Sequence, residues 1–250
     1  MNIKPTVMVL MAISLLHPVI TNAEGFRGRI VKTQGDVKVL MANGESMLPE
    51  KLNNLVKESE TIITSASSKA VIQFSDGSMA VLNESSSLLV EKTEWLSQLG
   101  GRIYFAFKKV FGKKPRKIKT SFVTLGIRGT SFIVDSNTGA ESVALQEGSL
   151  SVESPGDDFE LVKETPEDEF AAFKQQQQQQ AEKVEQEFSD YKNKINEEFV
   201  EYVKEFTLQP DKMVSFNGQR VNETAITDEL RQEFDTLEGF AGDIVDEYKN

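Results

Sequence analysis

Residues 26–152 contain a series of short runs in which apolar and polar residues alternate, with turn signals between the runs. The clearest run is KAVIQFSDG, residues 69–77, in which every second residue is apolar until the chain reaches Asp76 and Gly77. A repeat of two residues is that of a strand with one buried face, and an Asp-Gly pair readily forms a hairpin turn. The pattern therefore predicts a mainly β fold for this part of the chain, with Asp76 and Gly77 as turn residues.

Further runs extend this strand prediction along the chain. The predicted strands are Arg29–Lys32, Val37–Met41, Ser78–Leu82 and Ser87–Lys92, followed by a strand with Ile103, Phe105 and Phe107 on one face. Several runs end in a glycine followed by Arg, Asp or Ser, as in GGRI, QGDV and EGSL, the last of which contains Gly148. This weak self-similarity indicates short strands stacked as rungs, although it has no strict period.

The stretch TLGIRGTSFIVD, residues 124–135, changes the phase of its alternation in the middle. Bulky residues lie on one face before Arg128 and on the opposite face after Gly129, and such a change requires a bulge or a corner. Gly126 and Gly129 bracket the place, as glycine does at bends. Arg128, Gly129 and Thr130 therefore predict an architectural bend, in which the arginine satisfies buried acceptors. The alternative is a ligand or partner site made by these three residues.

These motifs resemble those of the FecR domain. The resemblance is carried by SETIITSASSKAVIQFSDGSMAVLNESSSLLV, LGGRIYFAF, KIKTSFVTLGIRGTSFIV and VALQEGSLSV, which follow in the family's order from Glu58 to Val152. The resemblance implies a periplasmic β-roll or short β-solenoid. In the best-known members, this module passes a signal from an outer-membrane, TonB-dependent receptor to a cytoplasmic sigma factor.

The N-terminal segment differs from that of the sensor members. Residues 1–23 have an early lysine, a short apolar core and small residues before Ala23, which is the pattern of a secretory signal peptide. We expect cleavage after Ala23 and a periplasmic or secreted mature chain with no transmembrane segment; the alternative is an uncleaved anchor. Because we expect no cytoplasmic segment before the β domain, the anti-sigma activity of the family is not expected here.

The composition excludes several classes of enzyme. The chain has no cysteine, and its one histidine, His17, lies in the predicted signal peptide. A mature chain without either residue cannot build a Ser-His-Asp triad, a cysteine nucleophile or a zinc site with nitrogen or sulfur ligands. Phosphate-binding glycine motifs and a calcium-loop motif are also missing from the sequence. We therefore expect no enzyme activity, no cofactor, no metal and no catalytic residue.

Charge divides the mature chain into two parts. Residues 24–152 carry 17 lysines and arginines against 13 acids, whereas residues 153–250 carry 10 against 26, giving net charges of +4 and −16. This division predicts a β domain at 24–152, a linker at 153–166 and an acidic helical region at 167–250. The helical region comprises a long amphipathic helix, a small hairpin and a terminal helix.

The long helix is predicted over 167–206, where Phe, Tyr, Val and Ile recur every three or four residues. The six-glutamine run 175–180 is interpreted as part of this helix, with a disordered break as the alternative. The apolar stripe fits a coiled coil imperfectly, so it serves either self-association or self-docking, or binding to another envelope protein. Asn217-Gly218 predicts the hairpin, and the terminal helix is expected to begin near Thr224 or Thr227.

The stretch KKVFGKKPRKIK, residues 108–119, concentrates positive charge. Its seven cations are Lys108, Lys109, Lys113, Lys114, Arg116, Lys117 and Lys119. One interpretation is a solvated hairpin tip. The other is an anion-binding loop for an anionic envelope polymer or for the acidic C-terminal part of the protein. Nucleic acid is not expected as a partner, because the exported chain is acidic and offers only Phe111 here to stack a base.

Taken together, these features predict an exported protein-binding or scaffolding module of the cell envelope. The alternatives are a polymer-binding protein that uses the lysine-rich loop, or an accessory component of a cell-surface signalling relay.

Overall fold

The structure is a computed structural model that describes residues 28–48, 54–91, 95–108, 116–137, 140–163, 200–242 and 244. Within these ranges the chain forms nineteen strands and one helix. The strands are β1 (Gly28–Gln34), β2 (Val37–Leu40), β3 (Ser46–Met47), β4 (Asn54–Val56), β5 (Thr61–Thr64), β6 (Lys69–Phe74), β7 (Met79–Leu82), β8 (Ser87–Val90), β9 (Trp95–Phe107), β10 (Arg116–Lys119), β11 (Thr124–Ile127), β12 (Thr130–Asn137), β13 (Ala140–Glu147), β14 (Leu150–Glu153), β15 (Phe159–Lys163), β16 (Val200–Val203), β17 (Glu205–Leu208), β18 (Lys212–Asn217) and β19 (Arg220–Ala225). The helix is α1 (Asp228–Ala241).

The strands form two layers, here named sheet A and sheet B. Sheet A has the order β4-β1-β6-β7-β9-β12-β13-β18-β19-β15-β16. Sheet B has the order β3-β2-β5-β8-β9-β10-β11-β14-β17. Strand β9 belongs to both layers, since its first half pairs with β8 and β10 and its second half with β7 and β12. Within the described residues the sheet is not closed.

One apolar core fills the space between the two layers. The face predicted for β9 is confirmed, because Ile103, Phe105 and Phe107 are buried there. The rings of Phe105 and Phe132, which are direct cross-strand partners, stack with centroids 5.3 Å apart. Phe74 extends the stack, 6.3 Å from Phe107. Such aromatic pairs add stability beyond the burial of their area.

Four of the corners at which the chain passes between the layers contain glycine. Gly35 joins β1 to β2, Gly101 lies at the bend of β9, Gly129 joins β11 to β12, and Gly148 joins β13 to β14. All four have positive φ, a conformation that costs glycine nothing and other residues considerably more. The glycines of QGDV, GGRI and EGSL, which looked like a weak sequence repeat, thus mark equivalent corners of the fold.

The outward face of sheet A is covered by α1. Thr227 caps the helix, its side chain accepting from the backbone N–H of Leu230, which confirms Thr227 as the helix start. Phe234, Leu237 and Ala241 are buried in a second apolar cluster with residues of sheet A. The mainly β class with a C-terminal helix is therefore confirmed.

Two predictions for the C-terminal region are wrong in part. The predicted linker contains β15, and the last residues of the predicted long helix lie in β16 and β17. Pairing with β15 and β14 determines the conformation of residues 200–208, because Val, Tyr, Phe and Thr in this run suit a strand once neighbours are available. The rest of the predicted helix, with the glutamine run, lies outside the described residues.

The hairpin predicted at Asn217-Gly218 is confirmed. The pairing of β18 with β19 begins at Asn217 and Arg220, and Gly218 in the turn between these residues has a φ of 62°. The finer prediction of a solenoid is not confirmed: β9–β10 and β15–β19 are parallel pairs, whereas the other described pairs are antiparallel. The sheets also continue across the predicted boundary at 152, because β13 pairs with β18 and β14 with β17.

Candidate functional site

The predicted Arg-Gly-Thr bend lies at a corner between the two layers. Gly126 is in β11 of sheet B, and Thr130 begins β12 of sheet A, where it is buried. Gly129 turns the chain between them with φ 63°. Arg128 is exposed, so the expectation that its guanidinium satisfies buried acceptors is wrong. The corner is formed by the backbone, without help from the arginine.

Gly148 supplies the other side of this corner. A Cβ built on Gly148 would overlap the carbonyl oxygen of Gly129 and lie 2.7 Å from Cγ2 of Thr130. Real Cβ atoms essentially never approach so closely. The predicted motif residues Gly129, Thr130 and Gly148 therefore meet in space, and they meet because two chain crossings pack backbone against backbone.

The turn at Asp76 and Gly77 is linked to the basic stretch. Asp76 accepts from the backbone N–H and the hydroxyl of Ser78, at 3.1 and 2.9 Å, and Gly77 has φ 81°. The same carboxylate lies 2.8 Å from Nη2 of Arg116. Asp76 thus shapes its turn and also pairs with one of the seven cations predicted to bind anions.

Two other cations of the basic stretch lie over the ring of a tryptophan. The Nζ atoms of Lys117 and Lys119 lie 5.2 and 5.0 Å from the ring centroid of Trp95, within the range of cation–π attraction. Lys117 also lies 3.6 Å from Glu153. Lys108 begins the stretch, and its backbone N–H donates to Ser78. The predicted cations Lys109, Lys113 and Lys114 lie outside the described residues.

Glu141 is a buried carboxylate that the sequence did not single out. It accepts from the hydroxyls of Thr120 and Ser136 and from the backbone N–H groups of Ser121 and Phe122. Burial raises the pKa of Glu141 above its ordinary value, although these hydrogen bonds oppose the shift. Because the chain itself uses the acceptor positions, the carboxylate holds the turn between β10 and β11 in place. In the sequence, Glu141 is a charged residue within an alternating strand pattern, and such a pattern does not indicate that the carboxylate is buried and structural.

A cleft of about 450 Å³ opens beside Glu141. Its lining is mostly hydroxyl, amide and glycine backbone, with the apolar side chains of Leu99 and Phe122. Among the described residues, no group of acidic side chains comes together in a way that could hold a metal ion. The cleft therefore offers hydrogen bonds and a small apolar surface.

One end of the two-layered body has open edges formed by consecutive strands. In the part of the chain that the structure describes, β16 is the edge of sheet A beside β15, and β17 is the edge of sheet B beside β14. The bend between them at Lys204 is fixed by its carbonyl, which accepts from the backbone N–H of Ser154 at 3.0 Å. Tyr202 in β16 is 74% exposed, the highest value among the exposed large apolar side chains of the described residues. These edges present backbone donors and acceptors that a further strand could use.

The described ranges contain no helix with the length and apolar character needed to cross a bilayer. No curated protein matches the chain. Two crystal structures of a candidate anti-sigma factor from Parabacteroides distasonis are similar to it, each 13% identical with a TM-score of 0.43. These similarities cover 66% of this chain and 59% of theirs, so the chain spans less than two thirds of those proteins. A cell surface anchoring domain is 31% identical over 26% of this chain and 83% of its own, with a TM-score of 0.24.

The sequence model of the FecR protein family matches residues 60–151. This range begins just before β5, ends within β14, and includes the Asp76 turn and the corner of Gly129 and Gly148. The chain therefore contains a FecR domain at residues 60–151.

Proposed function

We propose that this chain is a non-enzymatic module that binds another protein in the cell envelope after export. The observation that carries the proposal is the double edge of β16 and β17, which is unpaired within the described residues, with Tyr202 exposed on the edge strand of sheet A. A partner strand can extend such an edge by main-chain hydrogen bonds, while side-chain pockets supply specificity. The rings of Phe159, Phe206 and Phe216 pack behind the edge and support it, with centroids 5.8–5.9 Å apart.

Crosslinking in intact cells tests this proposal. The full chain is recovered after crosslinking from cells that carry the unmodified protein, Tyr202→Lys or Asn43→Lys. Lysine at a strand edge discourages further pairing, and Asn43 is an exposed turn residue far from β16 in sequence. We expect one partner protein with the unmodified chain and with Asn43→Lys, retained at high salt, and its loss with Tyr202→Lys. Equal recovery with Tyr202→Lys would reject the edge, and the absence of any crosslinked protein would reject the function.

The alternative proposal is a polymer-binding protein that uses residues 108–119. Arg116 and Lys117 have carboxylate partners within the chain, at 2.8 and 3.6 Å, which makes them less available to an external anion. Retention on envelope fractions that falls steeply with salt and disappears in a Lys113/Lys114/Lys117 triple alanine variant would support this alternative. A role as an accessory component of a cell-surface signalling relay would require the crosslinked partner to span the membrane.

A further inference from the structure

Sheet A is apolar on both faces in the middle of the FecR domain. Its inward face belongs to the core between the layers, yet a second set of buried side chains lies on the opposite face. This set is Val71, Met79, Val81, Tyr104, Ala106, Ile133 and Ala144. An antiparallel sheet with one face in water normally alternates apolar and polar residues. The outward face, here named the helix groove, therefore needs a cover.

The cover comes from outside the FecR domain. All seven groove residues lie within residues 60–151, whereas α1 begins at Asp228. Phe234 packs edge-on against Tyr104 with ring centroids 6.0 Å apart, and Leu237 is completely buried. The residues that enter the groove have the spacing of one helix face, namely Phe234, Leu237 and Ala241. The groove is thus shaped to receive a helix.

Polar contacts at the rim of the groove select an acidic helix. The hydroxyl of Tyr104 and the carboxylate of Glu238 lie 3.0 Å apart. The carboxylate of Glu233 accepts from Asn83 at 2.9 Å and lies 3.6 Å from Arg102. Two acids on α1, one turn or so apart, are therefore matched by donors on the sheet.

Cations of the sheet also meet the C-terminal end of α1. Nζ of Lys32 donates to the carbonyl of Phe240 at 2.8 Å and lies 4.8 Å from its ring centroid, with Nζ of Lys69 5.7 Å from the same ring. The last turn of α1 contains no basic residue, so the sheet supplies the positive charge that a helix C-terminus favours. An acidic helix in this orientation is therefore complementary in charge and hydrogen bonding to the sheet, both at Glu233 and Glu238 and at the C-terminal end of the helix.

We propose that the helix groove is a binding site for an acidic amphipathic helix of a partner protein, occupied within the free chain by α1. This inference rests on the proposed protein-binding function but concerns a different surface from the β16–β17 edge. The partner helix would carry large apolar residues at positions equivalent to Phe234 and Leu237, and acids equivalent to Glu233 and Glu238. Because α1 is tethered, a partner competes against a high effective concentration and binds best when α1 is loosened.

A labelled peptide with the sequence of residues 226–244 serves as the probe, and fluorescence anisotropy measures its binding to the full chain. In the Phe234→Ala chain the resident helix is weakened while every groove residue on the sheet remains. We expect this chain to bind the probe at least about tenfold more tightly than the unmodified chain, since the loss of a buried phenylalanine exceeds a tenfold effect. A probe carrying Leu237→Asp should not bind, and a probe carrying Glu233→Lys and Glu238→Lys should bind at least about tenfold more weakly.

A second chain variant tests the same inference if the Phe234→Ala chain fails to fold. Glu238→Ala removes one rim contact from α1 and leaves both apolar clusters intact, and we expect it to bind the probe about threefold more tightly than the unmodified chain. Equal binding by all chains, or equal binding of the Leu237→Asp probe, would overturn the inference. The Tyr202→Lys chain should bind the probe as the unmodified chain does, so failure here is distinguishable from failure of the edge proposal.

Discussion

At the residue scale, some corners between the layers contain a glycine at a place where the chain has no room for a side chain. Gly148 and Gly44 both have positive φ, 93° and 85°, but they differ in their surroundings. A Cβ on Gly148 would overlap the backbone of Gly129, whereas nothing lies within 4 Å of a Cβ on Gly44. The two glycines therefore separate the cost of the backbone conformation from the cost of the contact.

We predict that Gly148→Ala lowers the free energy of unfolding by more than about 3 kcal/mol, because backbone strain adds to a clash that only movement of β12 can relieve. Gly44→Ala should cost about 1–2 kcal/mol through the backbone conformation alone. Urea unfolding of both variants beside the unmodified chain measures the difference. Equal losses would mean that the close approach of the two crossings does not constrain the corner.

A second prediction at this scale concerns the pH dependence that Glu141 gives to stability. Because burial raises its pKa, the folded chain holds this proton to higher pH than the unfolded chain does. The stability from this group is therefore greatest below the ordinary glutamate pKa and falls as the pH rises through the raised pKa. Glu141→Gln should remove that part of the pH dependence, as seen in urea midpoints measured from about pH 4 to pH 8.

Glu147→Gln is the matched control for this prediction. Glu147 lies in the same strand, β13, and is exposed. Both variants lose one carboxylate, so any general effect of net charge is shared between them. A Glu141→Gln chain whose stability varies with pH in the same way as that of the Glu147→Gln chain would contradict the assigned pKa direction.

Sequence reasoning found the corner glycines but not their contacts. A break in alternation identifies Gly129 as a bend, because the cause of the break is local. The approach of Gly148 to Gly129 depends on the pairing of β12 with β13, which no local pattern specifies. Glu141 was missed for the same reason, since its four donors come from Ser136 and from the turn at 120–122.

At the element scale, apolar residues spaced by three and four predicted the terminal helix correctly, but the same spacing wrongly predicted helix for residues 200–206. In α1, capping and apolar spacing agree, and the helix begins where Thr227 predicts. In residues 200–206, apolar spacing of three and four was interpreted as helix, but alternate residues also suit the strands β16 and β17. Residues 200–208 form strands because they pair with the edges of β15 and β14. The sequence alone does not show that these edges are available for pairing.

The capping of α1 provides a prediction at this scale. Thr227→Ala should lower the free energy of unfolding by about 1 kcal/mol, because the side chain no longer accepts from the first turn. Thr236→Ala is the control on the same helix, where the exposed hydroxyl donates back to the carbonyl of Gln232. Alanine favours the helix at such a position, so we expect little or no loss there. Thermal unfolding of both chains compares them, and equal losses would reject Thr227 as the cap.

At the scale of the whole molecule, charge and hydrogen bonding divide the chain differently. Net charge changes sign near Glu153, and this predicted a separate acidic region beyond a linker. Backbone hydrogen bonds nevertheless join β13 to β18 and β14 to β17, on opposite sides of the charge boundary. Composition reports which solvent-exposed charges a segment carries, whereas strand pairing depends on edges and apolar faces that composition does not describe.

Two truncations of the chain test how far the FecR domain depends on the C-terminal strands and on α1. Ending the chain at residue 225 keeps all nineteen described strands but removes α1, leaving the helix groove uncovered. Ending it at residue 152 also removes the strands that pair with β13 and β14. We predict that removal of α1 alone costs about 3–6 kcal/mol of unfolding free energy, from the burial of Phe234 and Leu237, and that the larger deletion costs more.

Urea unfolding and binding of a hydrophobic dye distinguish the two contributions. Dye binding should appear when α1 is removed, because Val81, Tyr104 and Ile133 then face water. The unfolding midpoint should fall further in the chain that ends at residue 152. That chain has unpaired edges at β13 and β14 in addition to the uncovered face of sheet A. A chain ending at 152 that unfolds at the same midpoint as the full chain, without binding dye, would instead show that the charge boundary is the true limit of an independent domain.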